Sequence, residues 1–506
     1  MSMSTINQLA ADFTTFSKKI QAYNNATAVL YWDLRTKAPK KGMDARSEVI
    51  STLSTEAFKL STSDQMEDFL QRLTEEQAYK QLDAVTQKLV EESKKEFDLN
   101  KKIPTDRYQE YVLVTSQAEN LWEEAREKND FSLFRPYLEK IVKMKLEFID
   151  YWGAKPDKYD TLLDQYEPGM TVKQLDQIFT LLRDKTVPLV HAINESNRRP
   201  NISFMEKHFA KADQAAFNQL VLKKIGFDFQ AGRLDTSTHP FCIHFGSTDV
   251  RLTTRYDEQD FRYALWSSIH EAGHGMYEQN VNAAYNGLLL SNGTSMGVHE
   301  SQSRFWENMV GRSLPFWEHF YPAAQQAFPE QFAGVALQDF YRAANLVEPS
   351  FIRTESDELT YNLHIMVRYE IEKGLINETI EVGELPQIWN EKMKEYLGID
   401  VPSDDLGVLQ DVHWSSGLMG YFPTYSLGNV YAAQFTHAMK KQLPNFDDLL
   451  RAGDFAPINQ WLRENIHQFG KMKSPQELLQ HVTGEKVNAS YLVHYLETKY
   501  KDLYQL

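Results

Sequence analysis

Hydrophobic and polar residues alternate with a helical period along most of the chain. In residues 132–152 the apolar positions recur every three or four residues, and lysines and glutamates occupy positions between them. This spacing gathers the apolar side chains on one face and predicts a long amphipathic helix, with Pro136 near its start. Residues 63–101 repeat the pattern without a proline and predict another long helical segment.

One region follows the two-residue period of β-strands instead. Residues 241–245 place an aromatic or aliphatic side chain at every second position, and residues 250–255 alternate again. Turn-forming residues 246–249 lie between these runs, so the pattern predicts a β-hairpin, which leads into a helix after Asp257.

Helical periods resume after this hairpin and continue to the C-terminus, with loops predicted at residues 286–297 and 401–407. No internal repeat and no low-complexity linker divides the sequence. The pattern therefore predicts a mostly α fold in which residues 1–506 form a single domain.

Composition narrows the class of protein. Of the 506 residues, 42% are hydrophobic, which is enough for a sizeable core. The 54 Lys and Arg against 70 Asp and Glu give a net charge of −16, so neither a nucleic acid nor a membrane surface is expected as a partner. The N-terminal region lacks the apolar core of a signal peptide, and Cys242 is the only cysteine. These features predict a soluble protein of the reducing cytoplasm.

The strongest chemical signal is an H-E-x-x-H motif at residues 270–274. His270 and His274 are four residues apart on a predicted helix, so both imidazoles lie on one face and can bind the same cation. Glu271 is rotated by about 100° from His270, and its carboxylate can reach a metal-activated water without being a ligand. A chance match to the motif is the alternative, so its sequence context decides.

A third ligand is predicted from the segment that follows. Glu300 lies 26 residues after His274, and a helix beginning near Gly297 could return antiparallel and project this carboxylate toward the histidines. His299 points about 100° away from Glu300 and is expected to matter less for metal binding. Two imidazoles and one carboxylate, with a position left for water, are typical of catalytic zinc. We expect one zinc ion per subunit, with cobalt or manganese left open.

Six short motifs lie within residues 239–414. They are His239-Pro240-Phe241, Asp249-x-Arg251-x-Thr253, the H-E-x-x-H itself, His299-Glu300-Ser301-Gln302, Ile352-Arg353-x-x-Ser356-Asp357 and Gly407-x-x-Gln410-Asp411-x-His413-Trp414. In sequence and order they resemble the motifs of the carboxypeptidase Taq family of thermostable metallocarboxypeptidases, and six motifs in the right order are far more specific than any one of them. A likeness at Trp32 and Asp33 extends the resemblance to nearly the whole chain.

The resemblance implies a helical, zincin-like fold with a deep substrate groove, a small β-element beside the metal, and a single catalytic domain. It also implies zinc-dependent removal of C-terminal residues from peptides with broad specificity, and a homodimer. A zinc oligopeptidase that cuts peptides internally would share every metal residue and is the main alternative. An inert metal-bearing scaffold is a weaker one, because it would have no use for Glu271.

Two arginines are candidates for holding the terminal carboxylate of a substrate. A guanidinium group matches the planar geometry of a carboxylate through two parallel hydrogen bonds, which favours Arg353 and then Arg251. The alternative is a structural ion pair. For Arg353 the acidic neighbours in the sequence are Glu355, Asp357 and Glu358.

Four further side chains are candidates for stabilising the oxyanion that develops during hydrolysis. His239 and His413 could donate hydrogen bonds to it, or they could be core histidines bonded to Asp249 or Asp411. The same choice, between an oxyanion donor and a packing residue, applies to Tyr421 and Tyr425.

Overall fold

Helices form most of the protein, whose computed structural model describes residues 3–506. The helices that precede the sheet are α1 (Met3–Thr36), α2 (Met43–Ser61), α3 (Asp64–Leu73), α4 (Glu76–Tyr79), α5 (Ala84–Lys101), α6 (Thr105–Lys128), α7 (Phe131–Trp152), α8 (Lys158–Leu163), α9 (Val172–Glu195) and α10 (Lys211–Ile225).

The helix predicted at residues 132–152 is confirmed as α7. The helix predicted over residues 63–101 is confirmed in type but not in continuity, because three helices, α3 to α5, occupy this range. The Ser63 side chain accepts a hydrogen bond from the first turn of α3, and the Asp83 side chain does the same for α5. Such caps satisfy N–H groups that a continuous helix would bond internally, so each cap starts a new helix.

A three-stranded sheet lies between α10 and the helix α11 (Phe261–Gln279). The predicted hairpin is confirmed: β2 (Cys242–His244) pairs antiparallel with β3 (Val250–Thr254). The strand β1 (Gly232–Thr236) was not predicted, because its sequence GRLDT lacks an apolar alternation. It runs parallel to the central strand β3. A Cβ atom at Gly232 would lie 2.4 Å from the Val250 carbonyl oxygen, so this pairing requires glycine.

Helices resume after α11. The segment from Met296 to Arg304 forms α12, which begins one residue before the predicted Gly297 because the Ser295 side chain caps it. A single π-helical turn, Phe305–Val310, continues α12. The remaining helices are α13 (Leu314–Ala327), α14 (Leu337–Ala344), α15 (Tyr361–Ile376), α16 (Leu385–Leu397), α17 (Pro423–Gln442), α18 (Phe446–Ala452), α19 (Ala456–Asn465), α20 (Pro475–Thr483) and α21 (Ser490–Tyr504).

Within residues 3–506, most buried hydrophobic side chains fall into two clusters. The smaller one, here called the N-terminal cluster, joins residues of α1 and α3 to α5 with Leu288 and Leu290 from the loop between α11 and α12. The larger one extends from α6 to α21. Over residues 3–506, no helix combines the length and apolar character that crossing a membrane would require. The mostly α fold class with a small sheet is confirmed, and the single domain and the deep groove stay predictions.

Candidate metal and catalytic centre

The helix α11 carries both histidines of the H-E-x-x-H motif. Its first turn is capped by Asp260, whose side chain accepts a hydrogen bond from the Arg262 N–H. Ile269 and Met276 are buried on its apolar face. The histidines lie on a different face, and the side chains of His270 and His274 are 18% and 16% exposed. They are therefore shielded from bulk water but not sealed from a ligand.

Two glycines bring the helices of the site unusually close together. A Cβ atom at Gly273 of α11 would lie 2.5 Å from the Gln302 carbonyl oxygen of α12. A Cβ atom at Gly428 of α17 would lie 2.4 Å from Cγ of Glu300, also on α12. Because a side chain at either position would push α12 away, both glycines are needed for its close packing. The carboxylate of Glu300 is thereby held against α11.

Three side chains converge at this junction. Oε2 of Glu300 lies 3.6 Å from Nε2 of His270 and 3.5 Å from Nε2 of His274. One ligand atom from each residue lies within 4.8 Å of the other two, as a shared metal ion requires. The other carboxylate oxygen of Glu300 accepts a hydrogen bond of 2.6 Å from Nε of Arg304. The arrangement leaves one carboxylate oxygen and two imidazole nitrogens facing one point.

The electrostatics of Glu300 and His274 suit a cation. Burial raises the pKa of Glu300, but the charges of Arg304 and His270 and the contact with His274 outweigh burial, and the pKa lies well below its ordinary value. Burial lowers the pKa of His274 to about 4. At neutral pH the carboxylate is therefore charged and the His274 imidazole is neutral, which are the forms that bind metal.

An acidic residue is the hydrogen-bond partner of the His270 ring nitrogen that does not face Glu300. Nδ1 of His270 lies 2.8 Å from Oε2 of Glu307, which is in the π-helical turn after α12. Glu307 also accepts a hydrogen bond of 3.1 Å from Arg304 and one of 3.4 Å from Arg312. Carboxylates in this position orient a ligating imidazole, and π-helical turns often occur at functional sites.

His274 is supported by a histidine instead. Its Nδ1 lies 2.6 Å from Nδ1 of His299, and Nε2 of His299 lies 2.7 Å from Oε1 of Glu278. Burial raises the pKa of Glu278, but the neighbouring imidazoles of His244 and His299 and the His299 hydrogen bond outweigh burial, and the pKa lies below its ordinary value. His299 is not among the residues whose ligand atoms converge, and its smaller importance for metal binding stays a prediction.

Glu271 lies next to the ligand atoms without bonding to them. Glu271 is 7% exposed, and its side chain makes no hydrogen bond to any residue in the described range. Burial raises its pKa to about 7; the charge of His270 lowers the pKa and that of Glu300 raises it. A carboxyl group that titrates near neutral pH is suited to exchange protons in both directions.

Arg353 is buried within an ion pair. Its Nε and Nη2 donate to the two carboxylate oxygens of Asp411 at 3.1 and 3.0 Å, and Nη1 donates to the Tyr361 hydroxyl at 3.1 Å. Asp411 forms a second ion pair with Arg368, which has no solvent exposure. The sequence alternative of an ion pair is thus present, but its partner is Asp411 rather than one of the acidic residues close in sequence.

Two of the candidate substrate-binding and oxyanion residues, Arg251 and His239, belong to the sheet region rather than to this ion pair. Arg251 donates to both carboxylate oxygens of Asp249 at 2.8 and 2.7 Å, and its guanidinium stacks 4.6 Å from the Trp32 ring. His239 is exposed and lines a cavity of about 500 Å³ together with Arg126. The alternative of a core histidine bonded to Asp249 is therefore wrong for His239.

The remaining candidates form one cluster with Arg353. Nε2 of His413 lies 3.2 Å from the Tyr425 hydroxyl, so its partner is a tyrosine rather than Asp411. Burial lowers the pKa of His413 to about 3 and keeps it neutral. The rings of Tyr421 and Tyr425 are 5.2 Å apart, and burial and the charge of Glu300 raise the pKa of Tyr421 to about 12. Tyr421 is thus a neutral phenol close to the Glu300 carboxylate.

Several residues of the site were missed by sequence reasoning. Glu278 lies four positions after His274, and this helical spacing could have identified it. The positions of Arg304 and Glu307 shortly after Glu300 were a similar signal. Gly428 carried no signal, because its contact with Glu300 joins helices that are far apart in the sequence.

Comparisons with known proteins point to one family. Residues 12–500 match the profile of a family described as "Carboxypeptidase Taq (M32) metallopeptidase". The chain is 48% identical to "Carboxypeptidase 1" of Bacillus subtilis, over 99% of this chain and 100% of that protein. It is 39% identical to "Thermostable carboxypeptidase 1" of Thermus thermophilus, over 94% of this chain and 95% of that protein. A crystal structure of an M32 carboxypeptidase from Deinococcus radiodurans aligns with a TM-score of 0.96 at 37% identity, covering 99% and 100% of the two chains.

Proposed function

The chain belongs to the carboxypeptidase Taq (M32) metallopeptidase family and is a metallocarboxypeptidase, and we propose that His270, His274 and Glu300 hold its divalent metal. The observation that carries the proposal is the convergence of two Nε2 atoms on one carboxylate oxygen, at 3.6 and 3.5 Å. The donor set fits such an ion, because the two Nδ1 atoms and the other carboxylate oxygen already have partners.

Zinc is the metal that this donor set favours. Two imidazoles and one carboxylate, with a position left for water, are typical of catalytic zinc sites, whereas magnesium and calcium prefer oxygen ligands alone. Cobalt and manganese accept similar ligands and are the alternatives. When bound, the ion would supply Lewis-acid chemistry by lowering the pKa of water and polarising the scissile carbonyl group.

Glu271 is the proposed general base and general acid. Its carboxylate takes the proton from the attacking water, and the same group then donates that proton to the nitrogen of the departing amino acid. The pKa of about 7 and the absence of a hydrogen-bond partner within residues 3–506 support this role, because no contact has to break before the proton moves.

The experiment that tests this role is the substitution Glu271→Gln. We expect the variant to retain its metal and to lose turnover by several orders of magnitude, since it has lost both the base and the acid. Metal content must be measured beside the rate of peptide hydrolysis. A variant that keeps its metal and hydrolyses peptides at nearly the normal rate would contradict the assigned mechanism.

Arg353 is the proposed anchor for the terminal carboxylate of the substrate. A guanidinium has five N–H donors, and three of those of Arg353 are used by Asp411 and Tyr361. Asp411 is shared between the guanidinium groups of Arg353 and Arg368. A substrate carboxylate would give Arg353 a second anionic partner and use its two remaining donors.

The oxyanion of the transition state is the proposed partner of the neighbouring polar groups. Tyr421 is a protonated phenol near Glu300, and His413 and Tyr425 bond to each other beside Arg353. Preorganised donors of this kind lower the barrier because they need not reorient as negative charge develops. Arg251 and His239 are weaker candidates: Arg251 is paired with Asp249, and His239 is exposed.

The domain organisation, the location, the oligomeric state and the number of metal ions are also proposals. We propose that residues 1–506 form a single catalytic domain, that the protein is a cytoplasmic homodimer and that zinc binds once per subunit. The participation of Leu288 and Leu290 in the N-terminal cluster supports the single domain, because it ties the first helices to the loop between the metal-binding helices. The single cysteine is compatible with a reducing compartment.

A further inference from the structure

We propose that His299, supported by Glu278, is a positioning residue that fixes the tautomer and the ring orientation of His274. This proposal rests on the metal-binding role proposed above for His274. It gives the histidine of the H-E-S-Q segment a task in the metal centre although it is not a ligand.

The three side chains form one chain of hydrogen bonds that leads away from the metal position. His274 and His299 are joined at 2.6 Å through their Nδ1 atoms, and His299 is joined to Glu278 at 2.7 Å through Nε2. Glu278 lies one helical turn after His274, so α11 supplies both ends of the chain and α12 supplies its middle. The side chain of Glu278 is only 2% exposed, so water does not compete for its oxygens.

The chemistry of the groups permits one arrangement of hydrogens when His274 binds a cation. Nε2 of His274 faces Glu300, so its lone pair must be free and Nδ1 must carry the hydrogen. Nδ1 of His274 then donates to Nδ1 of His299, which must be the acceptor. The hydrogen of His299 is therefore on Nε2 and is donated to Glu278. The carboxylate thus determines the tautomer of both imidazoles.

Packing holds His299 in the orientation that this arrangement needs. Its ring centroid lies 5.3 Å from that of Tyr277. A Cβ atom at Gly293 would lie only 2.8 Å from Cδ2 of His299, so the glycine makes room for the ring. The Gly293 N–H also donates to Oε1 of Glu278 at 3.3 Å. The loop before α12 therefore closes around the His299–Glu278 pair.

The two metal-facing histidines are supported differently. His270 bonds directly to Glu307, which is also held by Arg304. His274 reaches its carboxylate only through the ring of His299. Removing His299 would therefore leave Nδ1 of His274 without an acceptor, and the wrong tautomer would no longer be excluded.

Zinc affinity, measured by competition with a chromophoric chelator, tests the proposal without relying on activity. His299→Leu keeps apolar bulk against Tyr277 but removes the acceptor, and we expect zinc affinity to fall about 10–100-fold. His299→Asn places an amide oxygen close to the position of Nδ1 and should restore most of the affinity. In the His299→Leu background, Glu278→Gln should cause no further loss, because the two residues act through the same bond.

His467→Leu is the matched control. His467 is buried, packs on the same Tyr277 ring at a centroid distance of 5.1 Å, and bonds to Gln302 rather than to a proposed ligand. We expect this variant to keep the zinc affinity of the wild type, even if its unfolding temperature falls.

Equal losses of zinc affinity in His299→Leu and His467→Leu would overturn the proposal, because the effect would then come from packing alone. A His299→Asn variant as weak as His299→Leu would overturn it as well. The proposed ligand set is checked separately with Glu300→Ala. Unchanged zinc affinity in that variant would overturn the ligand set and, with it, the role of His299.

Discussion

Glu167 is a fully buried carboxyl group that contacts the first turn of α12, the helix that carries Glu300. It accepts hydrogen bonds from the Tyr431 hydroxyl at 2.8 Å and from the Gly297 N–H at 3.1 Å. Burial raises its pKa from the ordinary 4.5 to about 7, although these hydrogen bonds oppose the rise. The folded protein therefore binds a proton between pH 4.5 and 7 that the unfolded chain has already released.

This difference predicts a pH dependence of stability with a definite sign. Protonated Glu167 contributes about 3 kcal/mol to the free energy of unfolding. This contribution is complete below about pH 4.5 and is lost as the pH rises to about 7. Glu167→Gln does not titrate, so its free energy of unfolding should fall less between pH 5 and pH 8 than that of the wild type. Denaturant unfolding at the two pH values measures the difference. Equal pH slopes for both proteins would show that Glu167 is ionised in the folded state at pH 5.

The proposed anchor Arg353 predicts how the enzyme responds to the end of its substrate. Amidation of the peptide C-terminus removes the charged partner. It should lower kcat/KM of the wild type by a factor that corresponds to about 1.5–3 kcal/mol of transition-state stabilisation. In Arg353→Lys the penalty should be smaller, because an ammonium group cannot form two parallel bonds. We choose lysine because it keeps a cation beside the buried Asp411. Arg353→Ala would leave Asp411 with Arg368 as its one ion-pair partner of the two.

Kinetics of the two enzymes on free-acid and amidated forms of one peptide measure this coupling. An identical amidation penalty in both enzymes would assign carboxylate capture to another group, and Arg251 would be the next to test. The geometry already explains why sequence alone could not choose between the two arginines. Each lies within reach of acidic residues, and only the structure identifies Asp411 and Asp249 as the partners.

At the scale of elements, the packing of α17 against α12 sets the position of Glu300. Gly428→Ala would place a Cβ atom 2.4 Å from Cγ of Glu300. The helix propensity of alanine favours the variant by about 1 kcal/mol, whereas overpacking a core costs about 1–3 kcal/mol. The two effects are similar in size and opposite in sign, so a change in stability would not show whether Glu300 is displaced. We expect zinc affinity to fall about tenfold or more as Glu300 is displaced.

Gly42→Ala is the matched control for this prediction. Its Cβ atom would meet only Cγ of Pro39, at an ordinary contact distance of 3.7 Å, so zinc affinity should not change. If Gly428→Ala binds zinc as tightly as the Gly42→Ala control, α17 does not determine the position of Glu300.

The elements differ in how well the sequence predicted them, for physical reasons. The helix α7 and the β2–β3 hairpin have local patterns that match their periods, and both are confirmed. The strand β1 has no such pattern, because its place depends on parallel pairing with a distant strand. The helices α3 to α5 were joined in the prediction, since an apolar period continues through a cap and only the capping side chains show the break.

At the scale of the whole molecule, the site depends on contacts between distant parts of the chain. The sequence predicted that Glu300 could meet His270 and His274, because a helix beginning near Gly297 could return antiparallel and project this carboxylate toward them. It did not predict that Gly428 would press on Glu300, or that the α11–α12 loop would join the N-terminal cluster. Such contacts are set by the packing of the entire fold and leave no local pattern.

The position of the metal in a crystal of the zinc-loaded protein, located by anomalous scattering on both sides of the zinc absorption edge, tests the central claim most directly. We expect one strong peak about 2.0–2.2 Å from Nε2 of His270, Nε2 of His274 and a carboxylate oxygen of Glu300. Glu271 should lie outside this coordination sphere. A peak coordinated by Glu271, or a metal bound away from α11 and α12, would contradict the account.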